Sequence, residues 1–171
     1  MKNIYLFCFI FILIGCESNY LNKSNSTIVE CPLILFSQEH KNYIDTSFKK
    51  ISLDNITYKA EINNAEFKKA CEVAEGYFNA EISLLFLIKK NIQKKQIINL
   101  PFYIAILDKQ NKLLDINYYR IEDILEKNVK YDSFIEKEIV STRKVKFKKN
   151  LEYKTIIVGF LLDKKRLELM N

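Results

Sequence analysis

Between Asn55 and Asn63 the chain alternates strictly. Ile56, Tyr58, Ala60 and Ile62 fall on one side, and Thr57, Lys59, Glu61 and Asn63 on the other. A period of two is the mark of a half-buried strand, because successive side chains of an extended backbone point to opposite faces. The same period returns from Phe78 to Ile88, where Ala80, Ile82, Leu84 and Phe86 alternate with Asn79, Glu81 and Ser83. Leu85 and Leu87 break that pattern by placing apolar groups on the otherwise polar face. Phe102–Leu107 and Leu113–Ile121 predict two further strands. Their spacer, Asp108-Lys109-Gln110-Asn111-Lys112, has hairpin length and turn chemistry without a glycine. Tyr131–Val140 and Tyr153–Leu162 complete the set, separated by a basic connection around Lys144–Asn150.

The remaining stretches are less regular. Val29–Phe36 predicts the first core strand, with Pro32 near its start at a sheet edge, where no ladder donor is needed. Ser37–Leu53 reads as a long polar connection holding His40. In Phe67–Ala74 the residues Phe67, Ala70, Cys71 and Ala74 share one helical face. The Glu75-Gly76 turn that follows favours a strand instead. Asp163–Met170 suits one or two helical turns. About seven strands with little helix between them must pair mostly antiparallel, which predicts an all-β, two-sheet sandwich of immunoglobulin-like type.

The amino terminus follows a different rule. Lys2 precedes an apolar run, Ile4–Ile14, of about 11 residues, which is signal-peptide length and well short of a membrane span. The run closes on Leu13-Ile14-Gly15-Cys16, which looks like a bacterial lipobox: a small residue precedes the thiol that is acylated and becomes the new amino terminus. The alternative is an ordinary signal peptide with a coincidental cysteine. The lipobox divides the chain into a lipoprotein signal peptide (1–15), an acylated flexible tether (16–28) and a β-sandwich domain (29–171). The tether is rich in Asn and Ser, with a reach of roughly 20 Å by random-coil scaling. One acyl chain holds a membrane only marginally, whereas the two or three of a bacterial lipoprotein, palmitate among them, hold it durably. Glu17, in place of the aspartate that retains lipoproteins at the inner membrane, favours the outer membrane.

Four cysteines are present. Cys8 leaves with the signal and Cys16 is taken by lipid. Cys31 and Cys71 then remain in an oxidising compartment, where a disulfide between them is expected. The alternative is two buried thiols that never meet. With His40 as the single histidine, these cysteines leave no good fourth ligand for zinc, and no metal or other cofactor is expected.

The formal net charge is +6. Lysine-rich stretches at 89–95 and 143–149 would suit anionic headgroups or an acidic partner. A chain rich in Ile, Lys and Asn also reflects AT-rich coding, which is the plainer account. Nucleic acid is excluded by compartment.

Several short pieces, in their order and spacing, resemble a family of small uncharacterised alphaproteobacterial envelope lipoproteins. These are Cys31-Pro32, the segment Ile56–Ile62 leading to Cys71, Phe102–Asp108, and Tyr153 followed by Ile157-Val158-Gly159-Phe160. Leu161-Leu162-Asp163 stands where the family has Gln-Leu-Thr, and Lys89-Lys90-Asn91 where it has Arg-Gly-Pro. The resemblance implies a lipid-anchored β domain with paired cysteines and brings no catalytic residues.

Catalytic constellations are sparse. Ser37, His40 and Asp45 are near in sequence, but nothing resembles a nucleophile elbow. Glu122/Asp123 and Glu136/Glu138 read as solvated strand faces rather than as glycosidase pairs. Gly76 and Gly159 are isolated and form no phosphate loop; Gly159 inside an apolar strand marks a bulge or a close backbone approach. The chain therefore reads as a non-enzymatic, lipid-anchored envelope lipoprotein: a structural or interaction module docking to another envelope component. Leu85 and Leu87 are its candidate contact. The alternative is a lipid- or glycolipid-binding module with a cavity between its sheets.

Overall fold

The computed structural model describes residues 26–46, 55–91, 96–126, 136–148 and 153–170. The lipobox Leu13, Ile14, Gly15 and Cys16 and most of the tether lie outside them. So do the signal segment and the beginning of the strand expected at Tyr131.

Among the described residues, ten strands and one α-helix make an all-β, two-sheet sandwich. The first sheet is built on β6 (Tyr77–Lys90). Along one edge it pairs antiparallel with β9 (Glu136–Lys148) over almost its whole length. Along the other it pairs with β4 (Ile56–Phe67) and then β5 (Cys71–Ala74). Between the pairs Phe67↔Ile82 and Glu72↔Asn79, four residues of one strand face two of the other. Thus β4 and β5 are one strand interrupted by a wide bulge. Outside them lie β1 (Thr27–Val29), against β5, and β3 (Asn42–Thr46), against β4.

The second sheet has the order β2-β10-β7-β8, with β2 (Leu33–Phe36), β7 (Gln96–Asp108), β8 (Leu113–Leu125) and β10 (Tyr153–Phe160). Its pairs are antiparallel except β2 with β10, which run parallel. Facing alternate residues of both sheets fill the space between them. Tyr58, Phe78, Ile82, Phe86, Phe102 and Phe160 are fully buried there. Phe86 meets both Phe102 and Phe160 across the sheets, with ring centroids 5.2 and 5.8 Å away.

Local chemistry explains the connections. At the β5–β6 turn Glu75 and Gly76 both adopt positive φ, and Gly76 has open space around it. In the β7–β8 hairpin, Asn111 takes the left-handed position a glycine would otherwise fill. The Asp108 carboxylate accepts from the amides of Gln110 and Lys112 at 2.9 and 2.8 Å. The carboxylate of Asp163 accepts from the Arg166 amide at 2.9 Å, starting helix α1 (Lys164–Met170).

Four expectations need correction. Val29–Phe36 is not one strand: the chain leaves the first sheet after β1 and enters the second at β2. The buried Pro32, which has no amide hydrogen, and Cys31 occupy the crossing. The polar connection Ser37–Leu53 contains β3, made a strand by the edge that β4 offers it. The basic segment after Ser141 is not a loop, because β9 continues to Lys148. There Val145 and Phe147 point into the core and Lys144, Lys146 and Lys148 point out. Ordered pairing also begins at Thr27, inside the segment read as tether. Phe67–Ala74 is extended on both sides of its bulge, as the turn after it suggested.

Candidate functional site

The outward face of the four-stranded sheet is the unusual surface of this molecule. Register places its residues in cross-strand rows. One row runs Leu33, Thr155, Leu107, Leu113, and the next Leu35, Ile157, Ala105, Ile116. A third runs Gly159, Tyr103, Tyr118. None of these side chains is charged. Leu33, Leu35, Leu113 and Tyr118 are 60%, 43%, 51% and 61% exposed. Beyond the third row Arg120 and Glu122 lie 4.0 Å apart and balance each other. The largest apolar patch that a soluble protein leaves exposed is often a contact site.

The opposite outer face has the usual chemistry. Glu81, Lys144, Lys146 and Glu138 project from it, with Lys69 bound to Glu81 at 3.1 Å and Lys41 to Glu61 at 2.9 Å. Leu85 and Leu87, the contact expected from the sequence, lie here and are half-buried. Leu87 is flanked by Glu61 and Glu138, and Leu85 by Asn64 and Val140. They form a small apolar island within a charged face. A shallow depression of about 340 Å³ adjoins Leu85. Another of the same size opens at the β4–β5 bulge, between Lys69 and Lys144. Both are surface features of the six-stranded sheet, whereas side chains occupy the space between the sheets.

His40 stands at the margin of the apolar face, in a one-turn 3-10 helix, Gln38–His40. Its Nδ1 lies 3.0 Å from the carbonyl oxygen of Phe160. A carbonyl only accepts, so Nδ1 carries a hydrogen and donates it. The imidazole meets the Tyr103 ring edge-on at 5.7 Å. Both side chains lie over Gly159. A Cβ at that position would come within 2.7 Å of Tyr103 Oη and 2.8 Å of His40 Cβ. Gly159 therefore marks a close approach, one of the two roles the sequence allowed it.

Ser37, His40 and Asp45 do not form a relay. The Ser37 carbonyl accepts from the His40 amide at 3.0 Å. The Asp45 carboxylate accepts from Thr57 Oγ1 at 2.9 Å and faces Arg166 at 3.8 Å. Arg166 in turn donates from Nε to the Ile44 carbonyl at 2.9 Å, contacts Asp163 and lies over the Tyr43 ring. This cluster fastens helix α1 to β3. Burial, the largest influence, raises the Tyr43 hydroxyl above its ordinary pKa, and Arg166 opposes the rise.

Of the carboxylate pairs, Glu122/Asp123 diverges, and the Glu136 side chain lies outside the described residues. Glu122 faces outward beside Arg120, while Asp123 turns to Lys137 at 2.7 Å. Hydrogen bonds from Lys137 and from the Ile124 amide hold Asp123 below the usual carboxylate pKa. Glu138 lies exposed on the outer face of β9. Among the described residues no group of three His, Cys, Asp or Glu could hold a metal ion. None of their helices is long and apolar enough to cross a membrane.

Two internal ties rigidify the support behind the apolar face. Cys31 and Cys71 form a disulfide, with Cα atoms 5.3 Å apart, so the crossing segment between β1 and β2 is fixed to the six-stranded sheet. Tyr58 reaches from that sheet to β7. Its Oη accepts from the Asn99 amide at 2.9 Å and donates to the Asn99 carbonyl at 3.0 Å. On the open side between β8 and β9, the Arg143 guanidinium lies over the rings of Phe102 and Tyr119.

Sequence reasoning missed the apolar face. The signal was present, since Leu33, Leu35, Leu107 and Ile157 make their strands apolar on both sides. That pattern reads equally well as a strand covered on both faces. Comparison with protein-family models, curated proteins and solved structures finds no match for this chain.

Proposed function

We propose that this protein is a lipid-anchored interaction module of a bacterial envelope. Acylation at Cys16 holds it to the membrane, with the outer membrane favoured, and the sandwich presents the apolar outer face of its four-stranded sheet to a protein partner. The uncharged rows from Leu33 to Leu113 and from Leu35 to Ile116, open to water at Leu33, Leu35 and Leu113, carry this reading. Leaving such groups in water costs about 25 cal/mol for each Å² that a partner could cover. The described residues hold the face on a disulfide-fixed, densely packed scaffold, which suits an interface that keeps its shape.

Two measurements test the reading. Intact-mass analysis of protein from its native host should find diacylglyceryl and further acyl mass on Cys16; an unmodified amino end would refute the anchor. Crosslinking in intact cells should recover neighbours from the full chain that are lost in a Leu35→Asp/Leu113→Asp variant. That variant should keep its disulfide and its circular dichroism. An identical set of neighbours in both proteins would refute the interface.

A further inference from the structure

We infer that the partner on this face is a second copy of the same chain, an inference that rests on reading the face as an interface. Two observations favour self-association. First, among the described side chains the rows of the face are uncharged apart from the balanced Arg120–Glu122 pair, so two copies can meet without repulsion. A face selecting an acidic or basic protein would display the complementary charge.

Second, the area is sufficient. Covering Leu33, Leu35, Leu113 and Tyr118, with the half-buried residues between them, removes about 600 Å² per copy and about 1,200 Å² in all, the lower end of stable interfaces.

A bilayer is the less suitable occupant. Surfaces that lie on anionic membranes join apolar residues to a basic rim. Here Lys144, Lys146 and Lys148 project from the opposite side of the sandwich, while Lys109 and Lys112 meet the face at one end, in the β7–β8 hairpin.

The test uses the full chain in its native membrane, with the photocrosslinking residue p-benzoylphenylalanine replacing Tyr118. Irradiation should give an adduct of twice the chain's mass whose peptides all derive from this sequence. Leu113→Glu in the same chain should reduce that adduct at least tenfold while the Cys31–Cys71 pair stays resistant to alkylation. The same probe at Thr142, on the opposite outer face, should give none. An adduct containing another protein's peptides would overturn self-association and leave the interface standing. Adducts to lipid alone, or no adduct at all, would overturn both. Equal self-adducts from Tyr118 and Thr142 would overturn the assignment to this face.

Discussion

Tyr58→Phe removes one oxygen from the middle of the sandwich, and the structure states what that oxygen does. Strand β10 ends at Phe160, opposite Phe102, and the Leu161 amide makes a last bond to Pro101 at 2.9 Å. β7 continues beyond this point to Gln96 without β10 beside it. The amide and carbonyl of Asn99 would then face the interior unpaired, but Tyr58 Oη satisfies both. Tyr58 itself is fully buried. Phenylalanine preserves the ring and its packing against Tyr43, so the change isolates the two hydrogen bonds. An orphaned buried donor or acceptor costs about 1–3 kcal/mol. The pair together should cost about 2–4 kcal/mol, or about 5–15 °C in Tm for a domain of this size. Urea unfolding with the disulfide intact should show the loss as a lower midpoint at unchanged m value. Asn99→Ala retains the backbone groups and should stay within about 0.5 kcal/mol of wild type. A Tyr58→Phe loss below about 0.5 kcal/mol would refute the reasoning, since water would then satisfy Asn99 equally well. Burial raises the Tyr58 hydroxyl well above its ordinary pKa. The stability linked to that shift is complete below the unfolded value near pH 10 and falls as pH climbs toward the folded value. The variant should lose less stability than wild type between about pH 10 and 12, where ionised tyrosine would otherwise favour the unfolded chain.

Gly159→Ala should destabilise by about 1–3 kcal/mol, because its Cβ meets Tyr103 and His40 at under 3.0 Å. Thermal unfolding checks this, and the added variant Tyr103→Ala should recover part of the loss; no effect of Gly159→Ala would refute the close approach. Replacing Cys31 and Cys71 together by serine opens a loop of sequence separation 40. The chain-entropy argument gives a loss of about 4 kcal/mol, measured by urea unfolding against the oxidised wild type. Asp123 is held below its ordinary pKa, so its stabilisation is complete above the unfolded carboxylate value and is lost as pH falls through the folded one. At this exposed site the contribution is about 0.2–1 kcal/mol. Asp123→Asn should therefore narrow the stability difference between pH 7 and pH 3, and an unaltered acid profile would refute the Lys137 pairing.

Much of the local structure was legible because strands have a period of two. The alternation in Ile56–Ile62 and Phe78–Ile88 gave β4 and β6 with the correct buried faces. Cysteine arithmetic gave the Cys31–Cys71 bond, since only two thiols were left to meet. In β9 the same alternation was hidden, because the lysines at 144, 146 and 148 drew attention to charge rather than to Val145 and Phe147 between them. β3 was missed for another reason. Asn42-Tyr43-Ile44-Asp45-Thr46 is short and polar, and becomes extended only because β4 supplies a ladder and Thr57 and Arg166 satisfy Asp45.

Periodicity thus determined which residues are extended and which of their sides avoids water, because those properties depend on neighbours a few positions away. It could not determine how many layers cover a strand. Ile156, Ile157, Leu107 and Ala105 suit a strand covered on both faces and a strand with one apolar face left open. Tertiary packing decided between these alternatives. The helix went to β3, the second sheet covered the inner face, and the described residues left Leu33, Leu35 and Leu113 open to water. Burial is a property of the assembled sheets, set by contacts among residues distant in the chain.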